Sequence, residues 1–178
     1  KLIKPQDLSR VIVDSTVQHK AIAHPTDSRL LETARTKLVE AAKEVGIDLK
    51  QTFAKEGKDL TRKAGRYAHA RQFKRMRRAI KRQRTIVGRL QREVDRKAGA
   101  IGAAVRQALG ETLNKARRIV AQSGQRKAPD GQPKLYAWHA PEVDCISKGK
   151  ARTPYEFGVK VGIASTLQGN LIVGARAF

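Results

Sequence analysis

The sequence predicts an α/β fold in which a small β-sheet is interrupted by a long, basic, mainly helical insertion. A run of β-branched residues from Val11 to Val17 lies near the start, and a second β-rich block begins only at Tyr155. The residues between them show helical periodicity and dense positive charge. We therefore predict the first strand within 1–24, the helical insertion over 25–126, and a return to the sheet over 127–178.

The composition indicates a polyanionic partner. The 178 residues include 38 Lys and Arg against 16 Asp and Glu, a formal net charge of +22. That excess is far larger than solubility requires, so DNA or RNA is the expected partner and an acidic membrane surface the weaker alternative. No stretch approaches the roughly 18 consecutive apolar residues of a transmembrane helix. We expect a cytoplasmic protein without a membrane partner, and the single Cys145 fits a reducing compartment.

One acid lies inside the first predicted strand. Alternation places Val11, Val13 and Val17 on one face and Asp14 on the other, within a segment that otherwise has the composition of a buried strand. Such an acid is either a structural residue that forms local hydrogen bonds or a ligand for a metal ion. The residues alone leave both interpretations open.

The insertion begins with an amphipathic helix. Thr26 or Asp27 can cap it, apolar residues from Leu30 to Val45 form one stripe, and Gly46 can end it. Residues 47–67 have a helical pattern that two glycines interrupt. A clearer pattern then predicts one helix over 66–97, roughly 48 Å long. Its apolar seam has a 3–4 spacing and comprises Phe73, Met76, Ile80, Gln83, Val87, Leu90 and Val94, of which only Gln83 is polar.

After Gly99 and Gly102 the pattern predicts a returning helix over 101–119, and hence a helical hairpin. Residues 62–97 contain 15 Lys and Arg against only Glu93 and Asp95, and 71–84 contain eight bases and no acid. The carboxylates that pair with bases four residues away on a solvated helix are missing, which favours phosphate contact over a merely solvated face. Aromatic residues make up 4% of the chain, so we expect contact with the duplex backbone rather than stacking on single strands. The candidate DNA-binding residues are Arg71, Lys74, Arg75, Arg78, Lys81, Arg82 and Arg89, with Lys148 and Lys150 in a later loop.

The last third of the chain contains more strand signals. Residues 134–139 have the pattern of a short strand, 157–163 alternate as a half-buried strand, and 167–170 form a turn before a returning strand over 171–175. Glu142 and Asp144 are rival metal ligands, although their position after Pro141 is more typical of a turn. The four histidines and Cys145 do not have the spacing of a zinc site.

Several segments together resemble bacterial insertion-sequence transposases of the DDE class. They are Val-Ile-Val-Asp-Ser-Thr-Val, His-Pro-Thr-Asp, His-Ala-Pro-Glu-Val-Asp, Lys-Gly-Lys and Pro-Tyr-Glu-Phe-Gly-Val-Lys-Val, and they occur in one order along nearly the whole chain. The resemblance implies a partial ribonuclease-H-like sheet whose first three strands form an antiparallel meander. It makes Asp14 the first of three catalytic acids and places the second and third strands at 155–167 and 170–177. The remaining Asp and Glu are expected after Phe178, so we expect the chain to be an internal fragment that is inactive alone.

The activity implied by this resemblance is metal-dependent phosphodiester cleavage and strand transfer on double-stranded DNA. Three carboxylates hold two Mg²⁺ ions, which activate the nucleophile and stabilise the leaving oxygen. The family also implies a homo-oligomer on DNA. The alternative is a non-catalytic nucleic-acid-binding scaffold, or a transposase relic, in which the basic helices are the functional part and Asp14 is structural.

Overall fold

The structure, a computed structural model, describes residues 4, 8–125, 131–147, 149 and 154–178. The chain divides into two compact units, one formed by both ends of the chain, up to Ala23 and from Ala140, and the other by His24–His139. All the described strands belong to the first unit and all the described helices to the second. The fold is therefore mixed α/β.

The first unit contains a four-stranded antiparallel sheet built around one long strand. The strands are β1 (Val11–His19), β2 (Asp144–Ser147), β3 (Tyr155–Thr166) and β4 (Ile172–Ala177). Strand β3 pairs with β1 along one edge and with both β2 and β4 along the other. The β1–β3 pairing is close at Gly158, where a Cβ would lie 2.1 Å from the carbonyl oxygen of Gln18. A glycine is therefore required at this position.

The strand predicted over 134–139 is wrong, because this stretch is irregular. The side-chain amide of Gln122 accepts the N–H of Leu135 at 2.8 Å and donates to the carbonyl of Leu135 at 2.7 Å. These hydrogen bonds occupy backbone groups that a strand would use. A fourth strand, β2, forms instead from Asp-Cys-Ile-Ser. Only four residues long and without strict alternation, β2 carries no strong sequence signal.

The expectation that β1 is a buried strand is also wrong. Val17 is buried at 7% exposure, but Val13 is 72% exposed and Ile12 46%. Among the described residues, β1 is an edge strand, and its unit contains no helix that could cover either face. Asp14 therefore lies in an exposed strand, and burial does not force its carboxylate to find a partner.

The first helix of the second unit forms as predicted. Helix α1 (Asp27–Glu44) is capped by Thr26, whose hydroxyl accepts the N–H of Arg29 at 3.3 Å. Gly46 follows it with a φ of 73°, in the left-handed region that favours glycine. The apolar stripe of α1 is buried and contributes Leu31, Ala34 and Leu38 to the core.

The single helix predicted over 66–97 is wrong, because the chain turns within it. Helix α2 (Ala54–His69) ends at a tight turn of three residues, and α3 (Phe73–Ile101) begins directly after it. The N–H of Arg71 bonds the carbonyl of Ala68 and the N–H of Gln72 bonds that of Tyr67, at 3.0 and 2.8 Å. This is the Schellman arrangement of hydrogen bonds at a helix C-terminus. Arg71 occupies the left-handed position with a φ of 55°.

The two glycines that interrupt the sequence pattern both lie inside α2. At Gly57, a Cβ would lie 2.2 Å from Oε2 of Glu32 and 2.8 Å from Nε of Arg35. Glu32 and the buried Arg35 form an ion pair on α1 at 2.7 Å. Gly57 therefore allows α2 to pack closely on this pair, which explains a helix-breaking residue inside a helix.

The apolar seam of α3 is buried only in part. Val87, Leu90 and Val94 are at most 1% exposed, whereas Phe73 is 52% exposed, so the predicted burial of Phe73 is wrong. After Gly102 the chain returns through α4 (Ala103–Ala108) and α5 (Gly110–Gln122) rather than through one helix. Helix α3 packs against α1, α2 and α5, so the predicted two-helix hairpin is part of a larger helical unit.

Gln83, the polar residue of the seam, joins three helices. Its side chain is 2% exposed, accepts the hydroxyl of Ser28 on α1 at 2.8 Å, and donates to the hydroxyl of Thr61 on α2 at 2.9 Å. A buried amide is tolerated when its donors and acceptors are paired in this way. Gln83 therefore sets the register of α3 against α1 and α2.

Candidate functional site

The most highly charged surface of the helical unit is one side of α3. Seven basic residues lie opposite the buried seam, and all seven are exposed. We call this set the α3 outer face; its members are Lys74, Arg77, Arg78, Lys81, Arg89, Arg92 and Arg96.

The acids of α2 and α3 pair with bases outside this face. Glu93 binds Lys97 at 2.8 Å, and Asp59 binds Arg62 and Lys63 at 2.6 and 2.7 Å. Asp95 contacts two bases of the returning helices, Arg106 at 3.4 Å and Arg117 at 3.5 Å. No member of the α3 outer face has a carboxylate within 4.0 Å among the residues that the structure describes. Its positive charge is therefore not neutralised by ion pairs there.

Arg82 differs from the other predicted DNA-binding residues. Its guanidinium forms a bidentate ion pair with Glu56 on α2, with Nε–Oε1 at 2.6 Å and Nη2–Oε2 at 3.0 Å. The hydrogen bonds from Arg82 lower the pKa of Glu56, and those to Glu56 raise the pKa of Arg82. The missing carboxylate is thus supplied by Glu56 of another helix, 26 residues from Arg82 in sequence, a contact that helical spacing does not reveal.

The structure places the other predicted residues as follows. Lys74, Arg78, Lys81 and Arg89 are exposed on the α3 outer face, and Arg71 and Arg75 are exposed near the α2–α3 turn. Lys148 and Lys150 lie outside the described residues.

Three members of the α3 outer face, Arg77, Arg92 and Arg96, were not among the residues chosen from the sequence. The signal that identifies them is the 3–4 spacing of bases in phase with Lys74 and Arg78. Gly88 lies between the two ends of the face, and a Cβ there would be 3.3 Å from Nη1 of Arg92. The absence of a side chain at Gly88 therefore leaves room for the guanidinium of Arg92.

The second candidate site is Asp14 on β1. Asp14 is opposite Ile163 of β3, is exposed, and accepts the N–H of Ser15 on Oδ1 at 2.7 Å. Within the described part of the chain, no group of three or more His, Cys, Asp or Glu residues is close enough to hold a metal ion. The donor chemistry of Asp14 fits one ligand of a Mg²⁺ site, but a single carboxylate does not make a two-metal site.

The rival acids do not combine with Asp14. Asp144 is opposite Gly158 on β3, whereas Asp14 is opposite Ile163. The two positions on β3 are five residues apart, which corresponds to about 17 Å along the strand and to opposite faces of the sheet. Glu142 forms an ion pair with Lys20 at 3.3 Å. Asp14 and Asp144 therefore cannot bind the same metal ion in this sheet.

Comparison with known proteins assigns no family. No family model matches the chain, and no solved structure matches it. The chain is similar to the "Uncharacterized protein ORF8 in nfe locus" of Rhizobium meliloti, with 56% identity over 70 residues. The match covers 39% of this chain and 34% of that relative, so the chain matches about a third of the relative's length. None of the helices in the described residues has the length and apolar content that a bilayer crossing requires.

Proposed function

We propose that this chain is part of a DNA transposase of the DDE class. In this proposal the helical unit binds the backbone of double-stranded DNA through the α3 outer face, and Asp14 is one of the carboxylates of the catalytic site. A homo-oligomer on DNA is a further prediction that follows from the family resemblance, and cytoplasmic location remains a prediction from the sequence composition.

The observation that carries the proposal is the unneutralised charge of the α3 outer face. From Lys74 to Arg96 the face extends for about 33 Å at 1.5 Å per residue. One turn of B-DNA is about 34–36 Å long, so the α3 outer face is about as long as one turn of a duplex. Exposed Arg and Lys side chains without carboxylate partners contribute to affinity by displacing counterions from phosphates. They do not read base sequence, so we expect affinity without strong sequence preference.

The sheet supports the catalytic part of the proposal. Strands β1, β3 and β4 pair antiparallel in the order that the resemblance implies for the first strands of a ribonuclease-H-like core. Asp14 lies near the middle of β1, and its exposure leaves the carboxylate accessible to a cation. Bound Mg²⁺ ions would supply activation of the nucleophile and stabilisation of the leaving oxygen. In this proposal Asp14 is one ligand, and acids in sequence after Phe178 are the others.

A non-catalytic nucleic-acid-binding scaffold is the second candidate function. It uses the same α3 outer face and differs only in the role of Asp14. The hydrogen bond from the N–H of Ser15 to Oδ1 of Asp14 favours it, because short polar side chains commonly make such local bonds for structural reasons. The effect of substituting Asp14 on cleavage separates the two candidates.

The test of the proposal is DNA binding measured against salt. Fluorescence anisotropy with several unrelated blunt duplexes, from 50 to 200 mM salt, should give similar affinities at each salt concentration. If five to seven phosphates are contacted, log affinity against log salt should have a slope between about −4.5 and −6.3. Failure to bind duplex DNA, or an affinity that does not depend on salt, would contradict the proposal.

A further inference from the structure

The turn between α2 and α3 contains a residue that the fold does not explain. Arg71 occupies the left-handed position of the turn, with a φ of 55°, where glycine has the lowest steric penalty. The turn is held by backbone hydrogen bonds from Arg71 and Gln72 to the last carbonyls of α2. Because the Arg71 side chain is exposed and has no ion-pair partner among the described residues, it is not needed to form the turn. A strained backbone conformation of this kind is a reason to look for function.

An exposed aromatic ring lies next to this turn. Phe73, the first residue of α3, is 52% exposed, although it is in phase with the buried seam. In the helical unit, the large apolar side chains left this exposed among the described residues are Phe73 and Ile101, at the two ends of α3. Phe73 differs from Ile101 in having a base two residues before it, Arg71, and two bases directly after it, Lys74 and Arg75.

Phe73 and these bases line one open cleft beside the turn between α2 and α3, which we call the α2–α3 cleft. The α2–α3 cleft has a volume of about 630 Å³, within the range of small-ligand sites. Its lining combines one aromatic ring, one amide and four cations and includes no acid: Arg71, Gln72, Phe73, Lys74, Arg75 and Arg78. Gln72 accepts a hydrogen bond from Arg75 at 3.1 Å. The cleft thus combines a flat apolar surface with a positively charged rim.

We propose that the α2–α3 cleft binds an unpaired nucleotide adjoining a duplex, with its base stacked on Phe73 and its flanking phosphates held by Arg71 and Arg75. This rests on the proposed function, since it requires that the chain bind nucleic acid. A base in an intact duplex is already stacked on its neighbours, whereas an unpaired base has a free face for an aromatic ring. A single ring accommodates one base, so the site is a local contact rather than a track for single-stranded DNA.

The cleft and the α3 outer face form one continuous surface. Lys74 and Arg78 belong to both. A duplex on the α3 outer face would therefore bring its end, or an adjacent gap, to the α2–α3 cleft. This continuity favours nucleic acid over an acidic peptide, because the same phosphate backbone would satisfy both sets of cations.

The test compares one duplex in two forms, blunt and with a short single-stranded overhang. Wild-type protein should bind the overhang form more tightly, and Phe73→Ala should reduce that affinity about tenfold while changing blunt-duplex affinity less than about twofold. Phe73→Leu should behave like Phe73→Ala, because it keeps an apolar side chain but removes the planar ring. Ile101→Ala is the matched control: Ile101 is 55% exposed at the other end of α3, and its truncation should change neither affinity.

Arg71→Gly tests the cation separately from folding. Glycine suits the left-handed conformation, so the variant should melt at the same or a higher temperature than the wild type. It should nevertheless bind the overhang duplex more weakly, with a salt slope reduced by about 0.9, the value for one phosphate contact. Lys43→Gln, at an exposed position of α1, should leave the slope unchanged.

The outcomes distinguish this inference from the proposed function. If the wild type binds both DNAs equally, or Phe73→Ala leaves the overhang preference intact, the cleft proposal is wrong while duplex binding by the α3 outer face stands. If neither DNA binds, both proposals are wrong. If polyglutamate competes as well as the overhang strand and its binding also depends on Phe73, the cleft recognises an acidic protein, and the nucleotide assignment is overturned.

Discussion

Replacing Lys74, Arg78 and Lys81 by Gln should remove a defined part of the salt dependence of DNA binding. The three side chains are exposed, follow one row along α3, and have no carboxylate within ion-pair distance among the described residues. Glutamine is a helix former comparable to lysine and arginine, so the helix should remain intact. The substitution therefore changes charge on the α3 outer face and little else.

The expected magnitude follows from counterion release. Each phosphate contact contributes about 0.9 to the slope of log affinity against log salt, so three lost contacts reduce the slope by about 2.7. Between 50 and 200 mM salt the wild type should then lose about 40-fold more affinity than the variant. The effect should be the same for unrelated duplexes, because backbone contacts carry no base information.

The assay is fluorescence anisotropy across that salt range, with circular dichroism to confirm unchanged helicity. A matched control replaces Arg29, Lys43 and Lys50 by Gln, which removes the same charge from exposed positions outside α3. The control should change the slope much less than the test variant. Equal slopes for the two variants would show that only net charge matters, and an unchanged slope in the test variant would remove the α3 outer face from the binding surface.

Three further predictions concern other parts of the molecule. In the protein continued through the expected acids, Asp14→Ala should abolish Mg²⁺-dependent cleavage of element-end DNA and leave binding nearly intact; cleavage that survives would make Asp14 structural. Gln83→Leu should destabilise the helical unit by about 1–3 kcal/mol in urea unfolding, because it leaves the buried hydroxyl of Ser28 without its partner. Adding Ser28→Ala removes that hydroxyl and should recover part of the lost stability. An unchanged stability of Gln83→Leu would contradict the role of Gln83. The ion pair with Arg82 lowers the pKa of Glu56 below its ordinary value of 4.5. The pair therefore stabilises the folded state above pH 4.5, and this contribution is lost as the pH falls through the lowered pKa. The melting temperature of Glu56→Gln should accordingly depend less on acid pH than that of the wild type, and parallel pH profiles would argue against this pair.

Features that depend on local sequence were predicted well. The cap at Thr26 and the end of α1 at Gly46 follow from the preferences of single residues, and both are confirmed. The strand positions around Tyr155–Thr166 and Ile172–Ala177 also follow from alternation and a turn signal between them. In each case the determining interactions lie within a few residues of one another.

Features that depend on distant residues were not predicted. The α2–α3 turn has an arginine rather than a glycine in its left-handed position, so residues 66–97 were predicted as one continuous helix. Arg82 looked unpaired because its partner Glu56 lies on another helix, and Gln83 looked like a defect because its two partners also lie on other helices. Sequence spacing identifies neighbours on one helix, but not the contacts made when helices pack.

Mapping which lysines DNA covers is the most direct test of DNA binding by the α3 outer face. Acetylation of the 178-residue chain followed by mass spectrometry, with and without a saturating blunt duplex, reports the accessibility of each lysine. We predict strong protection of Lys74 and Lys81 on the α3 outer face and little change at Lys43 and Lys50, which are exposed elsewhere in the helical unit. Protection of Lys43 and Lys50 with Lys74 and Lys81 still reactive would show that DNA binds a different surface.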